Sequence, residues 1–184
     1  MKPIYRHYGN DRFEASLVKP IKNRDTWGKP CGGLWASRVD AEVTWKEWCE
    51  SENYETQKLS KHFDFTLKDG TKILEIKNVA ELDKFSLEHR NLFLKPYYFF
   101  STEVFLDFEK LSKLYDAIEV NAGSNRDLYF RFYGWDCDSI VIFNSNCVEG
   151  KGSTILTKLK NFTKNACCDC EYWWDKEPVK SEVK

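Results

Sequence analysis

Three stretches of the chain collect side chains able to do chemistry. The first is Asp136-Cys137-Asp138, set just before the apolar run Ser139-Ile140-Val141-Ile142-Phe143. Strand side chains repeat every two residues, so Asp136 and Asp138 are expected on one face. Two carboxylates at the mouth of a sheet repel each other and shift their pKa values, an arrangement that is costly unless it is used. The plainer reading is a polar turn before a strand, and both readings stand. The second stretch is Arg6-His7-Tyr8. Arg6 has the planar fork that clamps phosphate, and His7 can orient a ligand by hydrogen bonding. Alternation puts Arg6 and Tyr8 on one face and His7 on the other, so only one face can line a site. The third is Lys29-Pro30-Cys31-Gly32-Gly33-Leu34-Trp35-Ala36-Ser37. Here Gly32 and Gly33 read either as a tight turn needing positive φ or as a source of unhindered N–H donors. Trp35, beside them, offers a face for a planar ring. No Walker sequence or G-x-G-x-x-G run is present.

Cysteine chemistry is a separate question. The seven cysteines are Cys31, Cys49, Cys137, Cys147, Cys167, Cys168 and Cys170. An odd number, with no signal peptide in view, favours reduced thiols over a disulfide frame. Cys167 and Cys170 meet the C-x2-C spacing of a zinc pair, but a second pair is missing, and Cys147, His62 or His89 would have to complete the shell. Reduced thiols are the preferred reading, and no metal is assigned.

These groups have to be held by ordinary elements. Ile4 to Tyr8 reads as an opening strand, and Gly9 to Lys29 as mostly loop. The Pro30 and Gly32-Gly33 turn leads into an apolar strand. Thr44 caps a helix carrying Trp45, Trp48 and Cys49 on one face. Phe63 to Leu67 and Ile73 to Ile76 flank Lys68-Asp69-Gly70-Thr71, which predicts a hairpin. Asn78 caps a helix from Val79 to Phe85, and Phe108, Leu111 and Leu114 have helical spacing. Lys95 to Phe100 reads as an edge strand or packed loop. Ala117 to Val120, Leu128 to Tyr133 and Ser139 to Phe143 read as strands, Ile155 to Phe162 as a last helix, and Lys176 to Lys184 as a polar tail. Six or seven strands with three or four short helices, not in regular βαβ alternation, predict an α+β fold. A single domain is expected over residues 1–175, with 176–184 as the tail.

Bulk composition agrees with that outline. The 184 residues are 42% hydrophobic and 16% aromatic, enough apolar mass for one core and incompatible with a disordered chain. The net charge of -1 removes the main driving force for generic phosphate-backbone binding, so a protein or small acceptor is favoured over nucleic acid. The opening residues lack the apolar region of a signal peptide, and no window approaches the ~18 apolar residues of a membrane span. A cytoplasmic protein without membrane association is expected.

The order of the motifs resembles the ADP-ribosyltransferases. That family has an Arg or His on its first strand, then a Gly-aromatic-x-Ser strand, then an acidic-x-acidic pair before a late apolar strand. Here Arg6 or His7 matches the first, Trp35 with Ser37 the second, and Asp138 with Asp136 the third. The late strands around Tyr115 to Ile118 and Ser139 to Asn144 are also similar. The resemblance implies a split sandwich of mixed, mostly antiparallel sheets. It implies that NAD is the substrate, gripped by Arg6 or His7 and the aromatic-Ser strand. By the same resemblance Asp138 bonds the nicotinamide ribose and drives loss of nicotinamide, with the Gly32-Gly33 amides as donors for the pyrophosphate. Asp138 stands where the family normally has Glu, which is one methylene longer, and Tyr8 separates His7 from Gly9 where the family has Tyr-His-Gly. The expectation is a transferase moving ADP-ribose to a macromolecular target, in the manner of a bacterial or phage effector. The alternative is a non-catalytic interaction module or inhibitor that binds a nucleotide or partner protein.

Overall fold

The structure, a computed structural model, describes residues 2–24, 28–94 and 104–150. Its strands are β1 (Tyr5–Tyr8), β2 (Lys19–Lys22), β3 (Cys31–Arg38), β4 (His62–Leu67), β5 (Ile73–Ile76), β6 (Ala117–Asn121), β7 (Asp138–Ile142) and β8 (Val148–Gly150). Its helices are α1 (Trp45–Ser51), α2 (Val79–Glu88), α3 (Phe108–Leu114) and α4 (Arg126–Arg131). All belong to one compact unit, Met1–Gly152. Expectations for Lys95 to Phe100, Ile155 to Phe162, Cys167, Cys168, Cys170 and the tail lie outside the described residues.

The strands form one mixed sheet in the order β5-β6-β7-β3-β1-β4-β8, with β2 paired to β3 off this path. Every pairing is antiparallel except β5 with β6. The fold is therefore α+β, as the composition and patterning imply.

One short connection forces the sheet to curl. β4 and β5 lie five strand spacings apart along the sheet order, which is ~24 Å if the sheet were flat. The link through residues 68–72 gives six Cα steps, at most ~20 Å when extended. It is also folded on itself, since the Thr71 amide donates to the Lys68 carbonyl at 3.3 Å. The ends of the sheet must therefore approach one another. The same region is tied to the connection between β7 and β8: the Lys68 amide donates to the Cys147 carbonyl, and Asp116 accepts from the Lys72 amide and the Asn144 side chain. This corrects the hairpin expected at Asp69-Gly70. The turn is present, but β4 pairs with β1 and β8, and β5 pairs with β6. An Asp-Gly turn fixes a reversal of the chain; it does not choose the partner.

Each face of the sheet buries its own cluster. One face holds Tyr5, Leu34, Phe65, Ile140, Ile142 and Val148. The other side carries Ile76, Ile118, Val120 and Val141 under α2, α3 and α4, with Trp135 fully buried at its centre. Asn78, Asp107 and Asn125 cap those helices by accepting the amides of Glu81, Lys110 and Leu128. α4 replaces the strand expected over Leu128 to Tyr133. Leu128 and Phe132 are buried, while Phe130 and Tyr133 are exposed, so the burial follows a four-residue step and not alternation. The Asn125 cap supplies the start that a strand reading overlooks.

The glycine pair lies inside a strand, which corrects the expected turn. Gly32 and Gly33 belong to β3 with φ of 88° and 70°, where the β2–β3 register shifts. A Cβ on Gly32 would sit 2.0 Å from the Pro20 carbonyl oxygen, and one on Gly33 would sit 2.4 Å from Val141 Cγ1. The pair thus makes a bulge that lets β2 and β7 close on β3. Gly32→Ala is expected to cost about 2–3 kcal/mol, from a disfavoured φ and displacement of β2. Urea denaturation checks this, and an unchanged midpoint contradicts it.

Candidate functional site

Pairing of β1 with both neighbours lines up a row of side chains on the helix-covered face. Arg6 lies opposite Ser37 on β3 and opposite Asp64 on β4. Trp35, two residues from Ser37, shares that face. Above them opens a cleft of about 360 Å³, also lined by Tyr8, Lys29, Trp45, Asp136 and Ser139. Arg6, Trp35, Ser37 and Asp136 come from three separate parts of the chain and meet here.

The charges of this cleft are mostly paired. Arg6 grips Asp64 through Nε at 2.7 Å and Nη2 at 2.8 Å, a two-point contact that holds the guanidinium firmly charged. Lys29 Nζ lies 3.8 Å from an oxygen of Asp136. Burial pushes the Asp136 carboxyl above its ordinary pKa, and Lys29 opposes that rise. Burial likewise lowers the Lys29 ammonium, with Asp136 acting against it. Burial pushes the Cys137 thiol up to about 11, so at neutral pH it is a protonated, inert group. Cys137 lies 3.1 Å from the Ser139 hydroxyl, and the Ser37 hydroxyl accepts from the Trp45 amide at 3.0 Å. Trp35 donates its indole N–H to the Gly32 carbonyl and packs on Trp135, with ring centres 4.8 Å apart.

His7 serves the opposite face. Its ring packs on Phe63, Nδ1–H donates to the Trp35 carbonyl at 2.7 Å, and Nε2 lies 3.0 Å from the Asn10 side-chain oxygen. His7 touches the edge of the cleft, while its ring is engaged as a spacer between strands.

Asp138 and Asp136 are not brought together in one cleft. β7 begins at Asp138, so Asp136 precedes the strand and escapes its alternation. Asp138 is buried on the other side, where it accepts from the Ser124 amide and hydroxyl at 3.0 and 3.1 Å and from the Val43 amide at 3.5 Å. It lines a second cleft of about 260 Å³ with Arg38, Asp40, Glu119 and Asn121. Gly32 and Gly33 line neither cleft.

In the second cleft Glu119 is buried and accepts the Tyr5 phenol at 2.8 Å. Burial raises its pKa, partly opposed by the Tyr5 hydrogen bond and Arg38. A carboxyl whose folded pKa is raised contributes stability below its ordinary value near ~4.3, and loses it as pH rises through the raised value. Glu119→Gln keeps an acceptor for Tyr5 and removes the charge. The variant is expected to gain a few degrees in melting temperature over wild type at pH 8 and to gain nothing at pH 4. Equal shifts at both pH values contradict this.

Sequence patterning did not single out Arg24, Asp64 or Trp45 as part of the site, and it gave Lys29, at the start of the glycine stretch, no role of its own. Asp64 was visible only as the polar residue of an alternating run, and its pairing to Arg6 depends on strand order. Lys29 and Arg24 lie in a polar stretch that carries no periodic signal. Of the four described cysteines, Cys49, Cys137 and Cys147 are free thiols. Among the described residues no three His, Cys, Asp or Glu side chains converge as for a metal ion, and no helix is long and apolar enough to cross a membrane. No protein-family model, curated protein or solved structure matches the chain.

Proposed function

We propose that the cleft over β1 and β3 binds NAD and that the chain transfers ADP-ribose to a macromolecular target, a protein in preference to nucleic acid. The observation that carries this reading is the meeting of Arg6, Trp35, Ser37 and Asp136 in one cleft. The curled, mostly antiparallel sheet supports an ADP-ribosyltransferase-like split sandwich. The cleft offers what a dinucleotide needs: indole faces for planar rings, cations for phosphates and, in Asp136, a carboxylate for a developing positive charge.

The reaction breaks the bond between the nicotinamide nitrogen and C1′ of its ribose. Nicotinamide leaves with the electron pair, and the ribose acquires oxocarbenium character. A nucleophile on the acceptor then bonds to C1′ and gives up its proton. Asp136 is the carboxylate that stabilises the ribose cation, and Trp35 and Trp45 wall off water. Asp138 is already committed to Ser124 and Val43, so it supports the strand and not the chemistry. With water as acceptor, the same arrangement hydrolyses NAD.

A second reading is a non-catalytic module that binds a nucleotide or partner protein, as an effector or inhibitor. What favours it is that both Arg6 and Asp136 already have partners, Asp64 and Lys29. Incubation with adenylate-labelled NAD and a cell lysate separates the two. Label on a protein band, with nicotinamide released, supports transfer. Saturable NAD binding with no nicotinamide released supports the module.

A further inference from the structure

We infer that the end of the first cleft formed by Arg24 and Lys29 is an anion subsite that takes the diphosphate of a dinucleotide. The inference rests on the NAD reading above and assigns the phosphates a place that the sequence assigned to Gly32 and Gly33.

Four cations line the cleft: Arg6, Arg24, Lys29 and Lys58. Two are fully occupied. Arg6 is clamped by Asp64, and Lys58 is hydrogen-bonded to Glu55 at 2.6 Å. The other two are not. Lys29 meets Asp136 at 3.8 Å, well beyond the ~2.7–2.9 Å of a charge-assisted hydrogen bond. Arg24 has no carboxylate within ion-pair distance among the described residues; it lines the same cleft as Lys29, and its charge opposes the protonation of Lys29. Two like charges therefore share a partly buried space with one loosely held carboxylate. That arrangement is costly as it stands and becomes favourable when a multivalent anion bridges the two cations.

The glycine route is closed. Gly33 pairs with Lys19 of β2, and Gly32 lies against the Pro20 backbone, so neither presents a free cradle to the cleft. Trp35 and Trp45 line the same cleft, so an anion held by Arg24 and Lys29 would leave the rings attached to it in reach of aromatic faces. An arriving diphosphate competes with Asp136 for Lys29. Binding at this end therefore loosens the carboxylate that the transfer reaction needs.

The test titrates the full chain with inorganic pyrophosphate, inorganic phosphate and NAD separately, following heat and tryptophan fluorescence. Wild type is expected to bind pyrophosphate more tightly than phosphate, and pyrophosphate is expected to compete with NAD. Lys29→Met and Arg24→Ala should each weaken pyrophosphate at least tenfold, whereas Lys46→Met, on the exposed side of α1, should change it less than twofold. Lys29→Arg keeps the charge and should remain within about threefold of wild type, which guards against a folding defect in Lys29→Met. NAD binding unchanged by both Lys29→Met and Arg24→Ala overturns the subsite and leaves the NAD reading in place. Pyrophosphate binding that both variants abolish, in a chain that does not bind NAD, upholds the subsite and overturns the NAD reading. Equal weakening by Lys46→Met shows a general charge effect and overturns the subsite.

Discussion

On the proposed chemistry, Asp136→Asn is expected to lower NAD turnover at least ~100-fold, the usual scale for losing one key electrostatic group, while the fold is kept. Asp136 is partly exposed at the cleft and its one ion pair is long, so its removal should change stability by about 1 kcal/mol or less. Asp138→Asn is expected to do the reverse. Asp138 is 5% exposed and accepts three hydrogen bonds, so losing its charge should destabilise the fold by about 1–3 kcal/mol. Turnover per folded molecule should then stay near wild type. In the proposed reaction Asp136 acts as the carboxylate, and burial raises its pKa, so turnover should fall as pH drops through that raised value. Nicotinamide release and chemical denaturation on both variants check this. If Asp138→Asn loses turnover and Asp136→Asn retains it, the assignment is reversed.

Trp135→Ala should cost about 3–5 kcal/mol, the range for truncating a large buried aromatic side chain. Trp135 is fully buried, with ring centres 4.8 Å from Trp35, 5.9 Å from Phe132 and 6.4 Å from Phe108. Its indole N–H donates to the Gly28 carbonyl at 2.9 Å, next to Lys29. One side chain thus packs the helical layer and pins the segment that carries a cation into the cleft. Trp135→Phe keeps most of the apolar contact and loses the hydrogen bond. It should unfold with a smaller loss, and it should weaken NAD binding more than its stability predicts. Urea curves for both variants, with NAD titration of the phenylalanine variant, measure the two effects apart. A loss below ~1 kcal/mol for Trp135→Ala contradicts the packing assigned to this residue.

Local signals were legible where one residue decides the outcome. Asn78 and Thr44 marked helix starts because an amide-accepting or capping side chain works within its own turn. The alternation that set Arg6 apart from His7 held, because β1 is a regular strand with neighbours on both sides. The same rule failed at Asp136 and Asp138, because alternation begins only where the strand does, and β7 begins at Asp138. Strand partners were not legible at all. Nothing local in Phe63 to Leu67 tells β4 to join β1 and not β5; the choice is made by packing in three dimensions. The cleft inherits that blindness, since the Arg6–Asp64 contact exists only because β1 and β4 are neighbours.

The seam between β3 and β7 has a bearing on biosynthesis. Leu34, Trp35 and Ala36 pair with Ile142, Val141 and Ile140, more than a hundred residues later in the chain. A ribosome working at ~5–20 residues per second leaves β3 without that neighbour for ~5–20 s. Throughout that interval Leu34 and the rest of its edge are open to mispairing with other strand edges. Asp136 and Ser139 arrive with the late partner, so the cleft is completed in one of the final steps of folding. A chain stalled before that point would carry Arg6, Trp35 and Ser37 but no Asp136, and on the proposed chemistry it would be silent toward NAD while still attached to the ribosome.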